Sequence, residues 1–191
     1  MDFDPTERQV YWRDRVRQFI ENHVRPRTGD YKAQDAEGSR WKVLPVVEEE
    51  KARAKAQGIW NLFMPPQAGR AHLDDTFEFE GPGLTNLEYA LCAEEMGRVG
   101  FASEAFNCSA PDTGNMEVFH RYGTREQKEK WLAPLMNGEI RSAFLMTDQS
   151  RRAMRAKAVY RLFVAAVPEE ATDGEGRADE DQVIEIGRAH V

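Results

Sequence analysis

The amino-acid sequence predicts a mainly α-helical amino-terminal domain over residues 1–138, followed by the first strand of an incomplete β-domain over 139–150. Apolar residues recur at spacings of three and four in several segments before residue 138, as in amphipathic helices. A threonine followed three residues later by glutamine precedes two of these segments, which is typical of helix starts. Residues 142–147 instead form a short run of small and apolar side chains, which favours a strand.

The first helix is expected to begin after Thr6, whose side chain can form a capping box with Gln9. One apolar stripe then runs along it, made of Trp12, Val16, Phe19, Ile20 and Val24. Pro26 is expected to end this helix, because the residue before a proline disfavours the helical conformation. Residues 27–42 are mostly polar, so we predict a loop there, anchored by Trp41.

A second helix is predicted over residues 43–57, with Gly58 just beyond its carboxyl end. The segment 59–66 is apolar and finishes with two prolines, so we expect it to be extended and buried rather than helical. The segment 84–98 shows the clearest helical pattern, and its residues 89–93 are apolar on all sides, which predicts burial of most of its surface. The leucines expected on one face of it are Leu84, Leu87 and Leu91.

Two glutamates, Glu94 and Glu95, follow that apolar run. One of them could be a partly buried carboxylate with a raised pKa, which would suit proton transfer. The alternative is that they form ion pairs with Arg98, which lies one helical turn further along the chain.

A shorter helix is predicted over residues 116–122 and a longer one from Thr124, which has capping-box spacing with Gln127. Gly123 lies between them, where a left-handed turn would let the two helices pack side by side. The side chains expected to face inward from these helices are Val118, Phe119, Tyr122, Trp131, Leu132 and Leu135.

Composition argues against several classes of protein. The formal net charge of −7 argues against nucleic-acid binding through overall charge, and no apolar run is long enough to span a membrane. The first ten residues lack the features of a secretory signal, so we expect a cytoplasmic protein with Cys92 and Cys108 as reduced thiols. None of the four histidines has metal-binding spacing, and no phosphate-binding or serine-nucleophile motif is present.

Four segments in fixed order carry a more specific signal. They are residues 93–98 (AEEMGR), 122–128 (YGTREQK), 132–139 (LAPLMNGE) and 142–147 (SAFLMT). Together they resemble the amino-terminal part of the acyl-CoA dehydrogenase family, and the resemblance covers residues 3–149. Residues 106–117 make the chain most similar to the long-chain-type branch that includes the vertebrate members ten and eleven.

The resemblance implies a function and a cofactor. Members of the family introduce an α,β double bond into a fatty acyl-CoA, transfer a hydride to FAD and pass the electrons to an electron-transfer flavoprotein; the intact members form homo-oligomers. In the family, one strand lines the flavin, and an extended backbone offers the alternating N–H and C=O groups that the polar edge of the ring needs. The residues that match this strand, and are therefore predicted to contact FAD, are Phe144, Leu145, Met146 and Thr147.

In the family the helical domain also walls the acyl pocket. The candidates for that wall are Phe101, Phe106, Cys108 and Met116. Core packing is the alternative role for each of them, because buried apolar residues serve this purpose in any helical domain.

The resemblance ends near Ser150. The family pattern continues with Glu-Pro and a turn of small residues, whereas this chain has Asp148 and Gln149 followed by arginines. Residues 151–161 carry five basic side chains and no acidic one, while residues 169–185 carry eight acidic and one basic. These blocks predict an unrelated tail over 151–191, disordered or frame-shifted, with 168–181 disordered by composition.

The sequence therefore predicts a truncated acyl-CoA dehydrogenase. In the family, the glutamate base that removes the α-proton comes from a carboxy-terminal helical bundle that we expect to be missing, so we identify no catalytic residue and expect the chain alone to be inactive. The alternative, from another class, is a non-catalytic helical module that binds a partner. A flavin spectrum in the purified protein would favour the enzyme.

Overall fold

The computed structural model describes residues 4–37, 43–66, 76–77, 81–145, 161–165 and 183–184. Helices dominate these residues, which confirms the mainly α-helical fold class. The chain divides into two compact units, one formed by residues 1–69 and 79–109 and the other by 70–78 and 110–191. Within the described ranges, no helix is long and apolar enough to cross a membrane.

The first unit contains the helices that the sequence predicts before residue 100 and two more. These helices are α1 (Glu7–Phe19), α2 (Thr28–Glu37), α3 (Pro45–Ala56), α4 (Asn86–Met96) and α5 (Ala102–Ala105). α1 packs mainly against α4, and α3 packs against α5. The core of this unit includes the fully buried side chains of Ile20, Leu62 and Phe106.

The predicted start of α1 is confirmed. The Thr6 hydroxyl accepts a hydrogen bond from the N–H of Gln9, and the Gln9 side chain accepts one from the N–H of Thr6. This capping box satisfies two N–H groups that have no partner within the helix. The apolar stripe also faces the core, because its members from Val16 onward are buried: Val16, Phe19, Ile20 and Val24.

The loop predicted over residues 27–42 is wrong for its first part, because Thr28–Glu37 forms helix α2. A π-helical turn, Ile20–Val24, and a 3-10 turn, Arg25–Arg27, connect α1 to α2. Pro26 lies in the 3-10 turn, and the backbone stays helical from Val24 to Thr28 instead of ending at Pro26 as predicted. Trp41, the predicted anchor, lies outside the described residues.

Helix α3 ends at the predicted glycine. Gly58 is left-handed, with φ of 68°, and its N–H donates to the C=O of Lys55 at 3.0 Å. The N–H of Ile59 donates to the C=O of Ala54, also at 3.0 Å. These two bonds form a Schellman motif, which satisfies carbonyl groups at the end of the helix.

Residues 59–64 are buried and not helical, as predicted, but they are not extended throughout. Asn61 is left-handed, with φ of 53°, and the N–H of Met64 turns back to its C=O. Asn107 is also left-handed, with φ of 55°, and its side-chain amide donates to Asn61 Oδ1 at 2.7 Å. Asparagine tolerates this conformation better than other side chains, and here each asparagine also supplies one end of a buried hydrogen bond.

Helix α4 buries a different face from the one predicted. Leu87 is 71% exposed. The residues that α4 buries are Glu88, Cys92, Glu95 and Met96. Glu88 forms a capping box with Thr85 and an ion pair with Arg8 of α1 at 2.7 Å. The buried face of α4 therefore depends on cations supplied by its neighbour, which hydrophobicity alone does not indicate.

The helices described in the second unit are α6 (Asp112–Tyr122), α7 (Arg125–Gln127) and α8 (Ala133–Asn137). A π-helical turn, Lys128–Leu132, joins α7 to α8. Thr124 forms the predicted capping box with Gln127. The side chains of Phe119, Trp131, Leu132 and Leu135 are buried as expected.

Tyr122 was expected to face inward, but it is 58% exposed. The buried stripe of α6 consists of Asp112, Asn115, Met116, Phe119 and His120. These positions repeat at spacings of three and one, so the stripe would continue at position 123 and Tyr122 falls beside it.

The left-handed turn predicted at Gly123 is also wrong, because its φ is −73°. Glycine is needed there for a different reason. A Cβ at this position would lie 2.6 Å from the main-chain oxygen of Phe119, closer than real Cβ contacts. The chain therefore passes too near the end of α6 to carry a side chain.

The described strands are β1 (Arg141–Leu145), β2 (Arg161–Ala165) and β3 (Val183–Ile184). They form an antiparallel sheet in the order β1-β2-β3. β1 begins where the sequence predicts the change from helix to strand. β2 and β3 are the described parts of the predicted tail, whereas 168–181 lies outside the described residues, so the predicted domain boundaries stay predictions.

Candidate functional site

The structure places two of the four residues predicted to contact FAD. Phe144 and Leu145 are the last residues of β1, and their backbones pair with Leu162 and Arg161 of β2. Met146 and Thr147 lie outside the described residues. The extended backbone fits the predicted role, and the flavin contact itself stays a prediction.

β1 is an edge strand of the described sheet, because β2 lies between it and β3. The N–H of Ser142 points away from β2 and donates to Asp112 Oδ1 at 2.7 Å. In an antiparallel pair, successive residues direct their N–H and C=O groups to opposite edges of the strand. Phe144 therefore directs its main-chain groups to the same outer edge as Ser142. Such an edge offers hydrogen bonds to the polar rim of a flat ring.

A buried polar cluster joins this outer edge to α6. Asp112 Oδ1 accepts two hydrogen bonds from Ser142, one from the main-chain N–H and one from the hydroxyl. Asn115 Nδ2 donates to the Ser142 hydroxyl oxygen at 2.7 Å. The guanidinium of Arg141 lies 3.7 Å from Asp112 Oδ2. Asp112 is 5% exposed and Asn115 is fully buried, so these bonds form away from water.

The cluster fixes the orientation of the Ser142 hydroxyl. Its single hydrogen is donated to Asp112, so its lone pairs are left to accept from Asn115. Hydrogen bonds to an ionised carboxylate are shorter and stronger than neutral ones. Asp112 and Asn115 are three residues apart on α6 and share one face, so a single helix holds β1 at residue 142.

Asp112, Asn115 and Ser142 are not among the residues predicted from the sequence to form a site. Two polar residues at a spacing of three in a helix, and a serine within an apolar strand, are the signals that could have drawn attention to them. Neither signal shows that the residues meet, because 30 positions separate Asp112 from Ser142.

Two of the acyl-wall candidates pack in the core of the first unit. Phe106 contacts Phe19 edge-on, with ring centroids 5.1 Å apart. Phe101 stacks on Tyr31, with centroids 4.6 Å apart. These ring contacts and their burial support the core-packing role for both residues.

Cys108, the third candidate, lines a cleft of about 290 Å³ within the first unit. The other lining residues are Tyr89, Ala93, Met96, Gly97, Val99, Gly100 and Ser103. Burial raises the pKa of the Cys108 thiol to about 12 and that of Cys92 to about 11. Both are free cysteines, and at neutral pH both thiols are protonated and therefore poor nucleophiles. Met116, the candidate in the second unit, is fully buried on α6.

The two glutamates near the end of α4 form ion pairs, which was one of the two alternatives. Glu94 is exposed and lies 3.0 Å from Arg98. Glu95 is 4% exposed and lies 2.7 Å from Arg17 of α1 and 3.4 Å from Arg98. The hydrogen bond from Arg17 is the main cause that lowers the pKa of Glu95. The alternative of a raised pKa is therefore wrong, and this carboxylate is unsuited to donating a proton.

Comparison with known proteins assigns this fold to a family. Residues 6–139 match the family model described as the N-terminal domain of acyl-CoA dehydrogenase, so the chain belongs to the acyl-CoA dehydrogenase family. The resemblance seen in the sequence motifs is thereby confirmed.

Among its relatives, the mouse acyl-CoA dehydrogenase family member 10 is 48% identical over 144 residues, covering 75% of this chain and 13% of the mouse protein. The chicken acyl-CoA dehydrogenase family member 11 is 47% identical over 138 residues, covering 70% of this chain and 16% of the chicken protein. A solved structure of a candidate acyl-CoA dehydrogenase from Mycobacterium abscessus is 42% identical, with a TM-score of 0.63 over 79% of this chain and 37% of that chain. The chain thus spans well under half the length of each of these proteins.

Proposed function

We propose that the chain is the amino-terminal part of a flavin-dependent acyl-CoA dehydrogenase that introduces an α,β double bond into a fatty acyl-CoA. Its membership of the family and the names of its relatives support the reaction class. The electrons would pass to an electron-transfer flavoprotein, and the intact enzyme would be a homo-oligomer, as the family resemblance implies.

The outer edge of β1 is the observation that supports FAD as the cofactor. The main-chain groups of Phe144 point to this edge, which no other described strand occupies. Phe144, Leu145, Met146 and Thr147 would hold the flavin ring, with the Thr147 hydroxyl adding one rotatable donor and acceptor. FAD, when bound, supplies the acceptor for the hydride that leaves the β-carbon of the acyl chain. The role of the strand is to bind and orient the ring.

The reaction also needs a base that removes the α-proton of the thioester. In the family this glutamate belongs to a part of the protein that follows the region matched here. Loss of the proton and of the hydride are coupled, so a flavin site alone cannot complete the reaction. We therefore propose that the 191-residue chain does not catalyse dehydrogenation by itself.

A chimera tests the function. Residues 6–147 of this chain, which include the four residues proposed to hold the flavin, would replace the corresponding segment of the Mycobacterium abscessus relative, with the rest of that protein left unchanged. We expect yellow protein that reduces an electron acceptor when a fatty acyl-CoA is added. A folded but colourless chimera would contradict the flavin assignment and favour the alternative of a non-catalytic helical module.

The chain alone provides the matching measurement. We expect the purified protein to be colourless, to bind added FAD weakly, and to reduce no acceptor with any acyl-CoA. Turnover by the chain alone would overturn the proposed requirement for a base from elsewhere.

We also propose a cytoplasmic location. Both cysteines are free and buried, as is common in proteins of a reducing compartment. Fractionation of cells that express a tagged chain tests this proposal, and recovery with an organelle would contradict it.

A further inference from the structure

The cluster of Asp112, Asn115 and Ser142 lies at the start of the outer edge of β1. Ser142 is the first residue of β1 whose N–H points to that edge, and Asp112 Oδ1 accepts it at 2.7 Å. On an open strand edge this N–H would be available to water or to another strand. The carboxylate oxygen takes the place that a carbonyl of a neighbouring strand would occupy.

The next residue along the same edge is Phe144. Two residues of a strand span roughly 7 Å, so its N–H lies about that distance beyond the group that Asp112 covers. Asp112 therefore covers the outward-facing N–H of Ser142 and does not reach that of Phe144. Phe144 is also the first residue predicted to contact FAD.

The cluster also opposes slippage of β1. Moving a strand by one residue would turn every main-chain group and side chain to the opposite side. Ser142 is bound to Asp112 through both its N–H and its hydroxyl, and Asn115 holds the hydroxyl from the other side. A slipped strand would break all three hydrogen bonds and leave a buried carboxylate without its donors.

We propose that Asp112 and Asn115 are positioning residues, which act through Ser142 to fix the register of β1 so that Phe144 presents its main-chain N–H and C=O to the flavin. The inference rests on the proposed function, because it assumes a flavin at this edge. The two residues need not contact the ring. Their effect comes from where they hold the strand.

The test uses the ¹⁵N-labelled chain and three variants. Asp112→Ala removes the acceptor, Asp112→Asn keeps one acceptor oxygen without the charge, and Asp30→Ala is the control. Asp30 is a carboxylate of the first unit, paired with Arg27 and 55% exposed. Two quantities are measured: the hydrogen-exchange rate of the Ser142 amide, and the dissociation constant for added FAD, followed through the amide shift of Phe144.

We expect Asp112→Ala to speed exchange of the Ser142 amide at least tenfold and to weaken FAD binding at least fivefold. Asp112→Asn should restore most of both properties, since it can still accept from Ser142. The control should change neither. Rescue by asparagine would show that a hydrogen-bond acceptor at position 112, and not the negative charge, accounts for both effects.

Three other outcomes would overturn the inference. If the exchange rate at Ser142 is the same in all variants, Asp112 does not hold the strand. If exchange accelerates but FAD binds the alanine variant as tightly as the original chain, register at residue 142 does not govern the flavin, and the proposed function stands. If FAD shifts no amide of β1 in the original chain, the cofactor assignment itself fails, and the inference fails with it.

Discussion

The two units of the molecule bury carboxylates against different partners. In the first unit, Glu88 and Glu95 on α4 face Arg8 and Arg17 on α1, each pair 2.7 Å apart. In the second unit, one oxygen of Asp112 accepts the N–H and hydroxyl of Ser142, and the guanidinium of Arg141 lies 3.7 Å from the other oxygen. The first arrangement joins two helices, whereas the second joins a helix to the main chain of a strand.

We expect this difference to decide which unit positions a ligand. Arginine and glutamate have long side chains, and an ion pair between them persists over a range of helix separations. Aspartate and serine have short side chains, and a hydrogen bond to a backbone N–H defines the position of that backbone closely. We therefore expect substitutions in the first unit to change stability, and those around β1 to change flavin binding as well.

The largest effect is expected at Gly123 in the second unit. In Gly123→Ala the new Cβ would lie 2.6 Å from the main-chain oxygen of Phe119, so the backbone must move. Overpacking of this kind costs about 3 kcal/mol, at the upper end of the usual range. Urea unfolding followed by circular dichroism measures the change.

Gly29 is the matched control in the first unit. It lies in α2, and a Cβ there would meet nothing within 4 Å. Alanine is the better helix former, so Gly29→Ala should stabilise the chain by up to about 1 kcal/mol. If the two alanine variants were equally stable, the close approach at Gly123 would not constrain the fold.

Much of the fold could be predicted from short-range patterns in the sequence. The capping boxes at Thr6 and Thr124 and the glycine after α3 were predicted because each signal lies within a few residues of its partner. Helix α2 was missed because residues 27–42 are mostly polar, and α2 buries none of its residues, so no apolar stripe marks it. The buried face of α4 was predicted wrongly because arginines about 80 positions away in sequence compensate its glutamates.

Less of the candidate site could be predicted from the sequence. The position of β1 followed from a local run of residues, and the resemblance to a family suggested its role. The cluster that holds β1 joins Asp112 to Ser142 across 30 positions, and no periodic pattern links them. Contacts of this kind form when separate elements pack together, and no local pattern in a single sequence indicates them.

The next largest effect concerns the buried pair in the first unit. Glu95→Gln removes the charge that faces Arg17 at 2.7 Å and leaves that guanidinium only the more distant carboxylate of Asp14, at 3.6 Å, among its described ion pairs. Because Arg17 is 45% exposed and water can reach it, we expect a loss of about 2 kcal/mol, below the usual cost for a fully buried pair. The neighbouring Glu94→Gln is the control, since its exposed pair with Arg98 contributes about 0.5 kcal/mol or less. Similar losses in both variants would contradict the distinction between buried and exposed pairs.

The same pair predicts a pH dependence. The pKa of Glu95 is lower in the folded chain than in the unfolded chain, so unfolding takes up a proton at acid pH. The stabilisation is therefore complete above the unfolded pKa of about 4.3 and is lost as pH falls through the lower folded value. We expect the stability difference between the original chain and Glu95→Gln to shrink as pH is lowered from 7 toward 3. A constant difference would mean that another group is responsible.

The smallest effects compare the capping boxes of the two units. Thr85→Ala and Thr124→Ala each remove one cap, which costs about 1 kcal/mol. Glu88 in the Thr85 box is 7% exposed and also pairs with Arg8, whereas the Thr124 box is exposed. We therefore expect Thr85→Ala to cost more than Thr124→Ala, and serine at either position to restore most of the loss. Urea unfolding measures the free energy of unfolding of the four variants, alanine and serine at each position. Equal losses in Thr85→Ala and Thr124→Ala would show that the ion pair with Arg8 holds Glu88 in place without help from the cap.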